Sequence, residues 1–312
     1  MVARYPETPH SSLLQHRRLH VLTMPPPHLT PSLIAAQSRF ISESKARIGK
    51  CVTFGCSTSK QLAELSFVLR QVTWNWRRYV VGREGYITNK DDVGLFRQKV
   101  AWGDHDQMGH VNNVRYNFWA ETARINWARN IALRADPAHR KQWEELWTPR
   151  GIGLILRSIK TDYKFPLRYP DRITVCHKLM KQPTEGMDAL HLEAVVLSET
   201  HQRVAARITE DIVVYDYRTG KKTPLPSFMV ETLSQLWSQQ ERTIEAAMSD
   251  IYGLQRLIKK IEKQTWDRHD AVEDLGSAMG SPEALNENTQ GKDVTPDVGS
   301  SFGAGTEERG QM

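Results

Sequence analysis

Residues 100–124 read VAWGDHDQMGHVNNVRYNFWAETAR, and the fold is decided here. The apolar run from Leu95 to Trp102 predicts a strand. A tight polar loop follows, carrying Asp104, His105, Asp106, Gly109 and His110. Asn112 and Asn113 then open a long helix, with Asn112 the better N-cap. A strand that delivers an acidic, glycine-containing loop to a helix N-terminus suits catalysis. The carboxylates can serve as base or nucleophile. The unpaired N–H groups of the first helical turn can hold a developing oxyanion.

Downstream, the helix runs from Asn113 to about Arg134. It places Tyr116, Trp119, Ala120, Ala123, Trp127 and Ile131 on one stripe, which marks it as a core helix. Asp136-Pro137 breaks it, and a short helix is expected over residues 138–147. Strand-like segments follow at 152–164, 172–180, 189–198 and 203–217, separated by turn chemistry at Pro166–Asp171, Pro183–Asp188 and Glu199–Gln202. These connections are too short for crossover helices, so a parallel doubly wound sheet is excluded. The order predicts an α+β fold, an antiparallel sheet wrapped around one central long helix.

From Phe228 to Trp266 the apolar positions repeat every three or four residues through Val230, Leu233, Trp237, Ile251, Leu254, Ile258 and Ile261, with Gln240 the polar member. This is a long amphipathic helix that either packs on its own domain or self-associates as a coiled coil. Upstream, residues 60–82 read as a helix through Leu62, Leu65, Leu69 and Val72. The Trp74, Trp76, Arg77, Arg78 cluster behind it favours packing over base stacking.

The chain has 312 residues, 39% hydrophobic content and a net charge of +6, which suits one moderate core with polar tails. Residues 1–50 form an extension that is disordered or transit-peptide-like, and residues 51–93 a helical accessory segment and linker. The domain proper spans 94–222, the long helix 228–266, and a disordered acidic tail 267–312. The extension holds seven Lys/Arg and only Glu7 and Glu43 as acids, which predicts a mitochondrial targeting segment, with a cytoplasmic location as the alternative. The last 46 residues carry ten Asp/Glu against three Lys/Arg, so the overall positive charge is no argument for a nucleic-acid partner. Cys51, Cys56 and Cys176 show neither disulfide nor zinc spacing and read as free thiols. No apolar run is long enough for a membrane span.

Within the loop, Asp104 and Asp106 have no metal-ligand spacing with His105 or His110, so no metal is expected. Gly109 suits a positive φ or close ligand approach. There is no G-x-S-x-G, P-loop or dinucleotide fingerprint.

The stretch from Trp102 through Gly-Asp-His-Asp-Gln-Met-Gly-His-Val-Asn-Asn-Val-Arg to Tyr116, with Glu121 and Ala123-Arg124 after it, resembles the signature of hotdog-fold acyl thioesterases. It is similar both to the 4-hydroxybenzoyl-CoA thioesterase group and to plant acyl-ACP thioesterases. The strand–helix–strands order extends the resemblance to about residues 94–220. The resemblance implies that Asp106 is the catalytic carboxylate, that the backbone N–H at Asn113 polarises the thioester carbonyl, and that His110 assists by orienting water or moving a proton. It also implies a homodimer or homotetramer with the site built across two subunits, an acyl-CoA or acyl-ACP substrate, and no cofactor. Met108 stands where the plant group has an Asn, and this departs from that group's pattern.

Gly109, Met108, Asn112 and Tyr116 are the expected substrate contacts, with Asp104 and Glu121 behind them. For Glu121 an ion pair with Arg124 or Arg115 is the favoured role. The main rival is a non-catalytic hotdog module serving as a structural or assembly subunit in an organelle. A hotdog dehydratase or hydratase would need a different His/Asp arrangement.

Overall fold

Two small residues and one glycine let the central helix lie close against its sheet. A computed structural model describes residues 39–56 and 58–269. In chain order its main elements are α1 (Phe40–Thr53), α2 (Ser59–Trp74), α3 (Trp76–Val80), β1 (Leu95–Lys99), α4 (Asn113–Asn130), α5 (Arg140–Glu145), β2 (Ile152–Tyr163), β3 (Arg172–Leu179), β4 (Ala189–Ser198), β5 (Arg203–Asp216), β6 (Lys221–Lys222) and α6 (Ser227–Glu262). The sheet is antiparallel, ordered β1-β3-β4-β5-β2, with β6 paired to β5. With α4 laid across one face, this is the hotdog arrangement.

The period-two alternation of the strands turns Ile173 and Val175 of β3, Ala194 and Val196 of β4 and Ile208 of β5 toward α4. They meet Tyr116, Trp119, Ala120 and Ala123, the stripe expected from the helical period. Ala120 and Ala123 are fully buried and leave room for close approach. At Gly94, just before β1, a Cβ would sit 2.1 Å from the Ala123 carbonyl oxygen, so no other residue fits without displacing backbone. Asn126 and Asn130 reinforce this contact. Their amide groups donate to the carbonyls of Gly94 and Val93 at 3.0 and 3.1 Å.

Further along α4, Arg124 donates to the carboxylate of Glu210 at 2.5 Å. Glu210 on β5 has no exposure to solvent. The Nε2 of buried His177 lies 3.4 Å from the other Glu210 oxygen, and its ring tilts against Trp127. One guanidinium thus neutralises a carboxylate held between helix and sheet.

The other face of the sheet is also covered, beyond what a sheet wrapped around one helix requires. Trp76, Val81 and Tyr86 pack on the outward side chains Cys176, Val195 and Leu197. The helix expected over 60–82 breaks at Asn75, separating α2 from α3. The break turns Trp76 inward to 3% exposure while Trp74 stays 69% exposed. Arg77 engages Glu199 through both ends of its guanidinium and lies 5.0 and 4.9 Å from the Trp76 and Phe96 ring centres. Of the aromatic–basic cluster, Trp76 and Arg77 therefore serve packing.

α6 bridges two regions. Its first turns bury Met229 and Leu233 beside Trp127, Leu179 and Ile212. Its far half buries Ile251, Leu254, Ile258 and Ile261 against Phe40, Ile48 and Cys51 of α1 and Leu65, Val68 and Val72 of α2. Between them, the buried Gln240 amide accepts from the Leu179 N–H at 2.8 Å and donates to its carbonyl at 3.1 Å, completing the end of β3. The apolar stripe is thus buried in large part within the chain. The division drawn at residue 50 cuts α1, whose Ile48 and Cys51 are buried, because those two side chains complete the helical layer. Residues 1–38 and the acidic tail beyond 269 lie outside the described residues.

Removing one partner of a buried ion pair leaves an uncompensated charge and costs about 3–5 kcal/mol. Arg124→Met should therefore lower the unfolding free energy by about that amount in urea titrations. A loss below about 1 kcal/mol, the size of an exposed pair, would contradict the buried pairing.

Candidate active site

The loop between β1 and α4 folds back on itself as a miniature ladder. Asn112 N–H donates to the Asp104 carbonyl at 2.8 Å, and Asp106 N–H to the His110 carbonyl at 2.9 Å. His105 and Val111 form an isolated antiparallel bridge between them. The ladder closes through Gly109 N–H to the Asp106 carbonyl, with Gly109 at φ +70°, where a glycine relieves the strain that a side chain would suffer. Asp106 and His110 thereby become cross-strand partners, whose Cβ atoms lie about 5 Å apart in such ladders.

The two aspartates have opposite fates. Asp104 is buried; one carboxylate oxygen accepts the Ala101 N–H and the other pairs with Arg115, both at 2.8 Å. It holds the entry of the loop to the first turns of α4. Asp106 is exposed, and one of its oxygens accepts the Met108 N–H at 2.9 Å in an Asx turn. Met108 itself is 79% exposed beside this carboxylate.

At the helix start, the Asn112 side chain accepts the Val114 N–H at 2.9 Å, and its carbonyl accepts the Arg115 N–H. The cap thus serves the second and third N–H groups of α4. The Asn113 N–H has no hydrogen-bond partner among the described residues. An unpaired N–H at a helix N-terminus is a ready site for negative charge.

A second loop clamps the first. Between β2 and β3, the Leu167 carbonyl accepts the Val111 N–H at 2.9 Å, and the Tyr169 N–H donates to His105 Nε2 at 2.7 Å. Arg168 Nη2 lies 2.7 Å from His110 Nε2. Arginine only donates, so His110 Nε2 accepts and the ring proton is assigned to Nδ1. Tyr163 at the end of β2 donates its hydroxyl to the Asn113 carbonyl at 3.1 Å, and burial pushes its phenol up, so it remains a donor.

Two expected roles are corrected. Tyr116 is 2% exposed, and its oxygen accepts the Leu167 N–H at 3.1 Å. Its place on the buried stripe makes it a support for the clamp, with no surface left for substrate. Glu121 pairs with neither Arg124 nor Arg115, because Glu210 and Asp104 take those guanidinium groups; it is exposed on α4. The sequence did not single out Tyr163 or Arg168 as parts of the site. For Arg168 the only signal was a turn, and its partner lies 58 positions away.

Among the described residues no group of three or more His, Cys, Asp or Glu side chains is placed to hold a metal ion, and no helix is long and apolar enough to cross a membrane.

Residues 100–233 match the model of the thioesterase-like superfamily. No curated protein matches the chain significantly. Among solved structures, the chain is similar to a thioesterase complexed with coenzyme A and Zn from Thermus thermophilus, at 22% identity over 47% of this chain and 97% of that one, with a TM-score of 0.36. A probable thioesterase from Escherichia coli shares 25% identity over 44% of this chain and 94% of that one, with a TM-score of 0.36. A hypothetical protein from Staphylococcus aureus in complex with CoA shares 16% over 50% and 89%, with a TM-score of 0.37.

Asp104→Ala should remove the acceptor of the Ala101 N–H and strand Arg115, costing about 1–3 kcal/mol. Thermal unfolding checks this, and an unchanged midpoint would contradict the anchoring role.

Proposed function

We propose that this chain, whose residues 100–233 match the model of the thioesterase-like superfamily, hydrolyses an acyl-CoA or acyl-ACP thioester at the loop before α4. The observation that carries the reading is the pairing of an exposed carboxylate, Asp106, with an unpaired helix N-terminal N–H, Asn113, on one pinned loop.

The reaction adds water across the C–S bond. The carbonyl oxygen lies at the Asn113 N–H, which stabilises the oxyanion as the tetrahedral intermediate forms. Asp106 takes the proton of an attacking water, or attacks the carbonyl carbon itself; the same exposed carboxylate serves both routes. On the first route the C–S bond breaks, the thiol leaves with the proton that Asp106 took, and the acyl group departs as a carboxylic acid; on the second the thiolate leaves behind an acyl anhydride on Asp106, which water hydrolyses to the carboxylic acid and the free carboxylate, with water's second proton going to the thiolate. His110, with Nε2 held by Arg168, offers its Nδ1–H to orient the water. Trp102, Met108, Val114 and Phe118, which are 76%, 79%, 70% and 50% exposed, form an apolar surround suited to an acyl group.

A second copy of the chain completes the site in this proposal. Val114 and Phe118 lie on the outward side of α4, and among the described residues the twelve-residue strand β2 pairs only with β5, leaving one edge open. Exposed apolar side chains next to an open strand edge favour pairing with another chain. The acid-poor, basic composition of the N-terminal segment supports a mitochondrial location.

One feature favours the non-catalytic alternative: the helical layer of α1, α2 and the far half of α6 lies outside residues 100–233. Thiol release from a panel of acyl-CoAs decides between them. Asp106→Asn should lower kcat by about 100-fold or more, the usual contribution of a positioned base. Its melting temperature should hold, because Asn can still accept the Met108 N–H. No turnover of any substrate by folded protein, or an unaffected Asp106→Asn variant, would exclude the hydrolase. Sedimentation should give a dimer or larger species, and a monomer that still turns over would exclude the shared site.

A further inference from the structure

We propose that the outward face of α2 docks on an anionic lipid membrane surface. The inward stripe of this helix, Leu65, Val68 and Val72, packs in one cluster with side chains of α1 and the far half of α6. A helix packed on one side ordinarily turns polar side chains to solvent, and one that is apolar all round is ordinarily buried. On its free side α2 carries Leu62, Phe67, Leu69 and Trp74, all exposed, Trp74 by 69%. The helical period puts these four on one arc of about 160°, and Arg70 is its only charged side chain. Phe54 adds an exposed apolar tip at the turn that joins α1 to α2. Clustered exposed apolar side chains of this kind mark an interaction surface.

The charge of this helical layer selects the partner. Residues 39–80 hold eight Lys/Arg against two acids, Glu43 and Glu64. Glu64 is taken by Lys260 of α6 at 3.1 Å, while Lys60 and Arg70 have no ion-pair partner among the described residues. Lys50 and Lys60 flank Phe54 in sequence. Apolar side chains among unpaired cations suit a lipid surface. The boundary of the acyl region takes Leu, Phe and Trp, and anionic headgroups take the ammonium and guanidinium groups. A second copy would bring the same positive charge against its twin and be repelled. A nucleic acid would meet the cations but leave Leu62 and Leu69 without an apolar partner. The sixteen residues of α2 span about 24 Å, so the helix can lie flat with Phe54 beyond its first turn and Trp74 at its last. The face lies outside residues 100–233, and its occupancy does not rest on the hydrolase reading.

Co-sedimentation of the full chain with lipid vesicles tests the proposal without turnover. Vesicles of equal parts phosphatidylcholine and phosphatidylglycerol should carry the protein down, vesicles of phosphatidylcholine alone should not, and raised salt should weaken the binding. Leu69→Gln and Trp74→Gln should each weaken it about tenfold or more, the loss of one buried apolar side chain. Lys60→Gln and Arg70→Gln should each weaken it about fivefold, the contribution of one cation near an anionic surface. Melting temperatures should hold, since all four side chains are exposed. No binding to the anionic vesicles, equal binding to both kinds, or binding that the four variants leave unchanged would overturn the proposal. So would binding to polyuridylate in place of vesicles, which would assign the face to nucleic acid. A dimer that Leu69→Gln and Trp74→Gln dissociate, with no vesicle binding, would assign it to a second copy and overturn the proposal as well.

Discussion

One backbone group, the N–H of Asn113, stands at the centre of the site. A helix must begin with N–H groups that its own turns cannot satisfy. Here the Asn112 cap takes the next two and leaves the first open. The ladder from Asp104 to Asn112 fixes where that open group stands relative to the loop tip. Asp104 anchors the ladder at its base, and Gly109 turns it at its end. Asp106 stays in solvent because its sister acid has taken the structural contacts. The division of labour between two carboxylates two positions apart thus follows from burial.

Much of this was legible in the residues. The period change from strand to helix at Asn112, the aromatic and alanine stripe on α4, and the two-residue alternation of β3 to β5 each have a direct physical cause, and the structure follows them closely. The N-cap and the positive φ of Gly109 were legible for the same reason, because both are local. Interactions between distant parts of the chain were not. The clamp of Arg168 and Tyr169 on the two histidines joins loops far apart in sequence. The fate of Glu121 turned on Arg124 and Arg115 finding deeper partners, a competition that helical spacing does not reveal. The burial of Tyr116 was visible in its stripe, but its position beside the loop suggested a substrate contact instead.

The second layer also reads differently in three dimensions. An apolar stripe on α6 is equally suited to a partner chain or to the chain's own helices, and only packing decides. Phe40, Ile48 and Cys51 from α1, with Leu65, Val68 and Val72 from α2, supply the opposing face. Gln240 shows why one polar residue interrupts the stripe: it closes the backbone of β3 at Leu179, where an apolar side chain would leave a buried N–H and carbonyl unpaired. The outer helices thereby brace β3 and β4 from behind, and those strands carry the surface on which α4 rests.

The most direct measurement removes the Asn113 N–H, while the Asn112 carbonyl stays in place as a weaker acceptor for the Arg115 N–H. Replacing residue 113 by its α-hydroxy acid turns the Asn112–Asn113 peptide bond into an ester and keeps the side chain. With an acyl-CoA that the protein hydrolyses, kcat should fall by about 100- to 1,000-fold, the usual effect of losing an oxyanion donor. KM should change little, and the fold should hold because that N–H bonds to nothing among the described residues. A kcat within a few-fold of the unaltered protein would contradict the account.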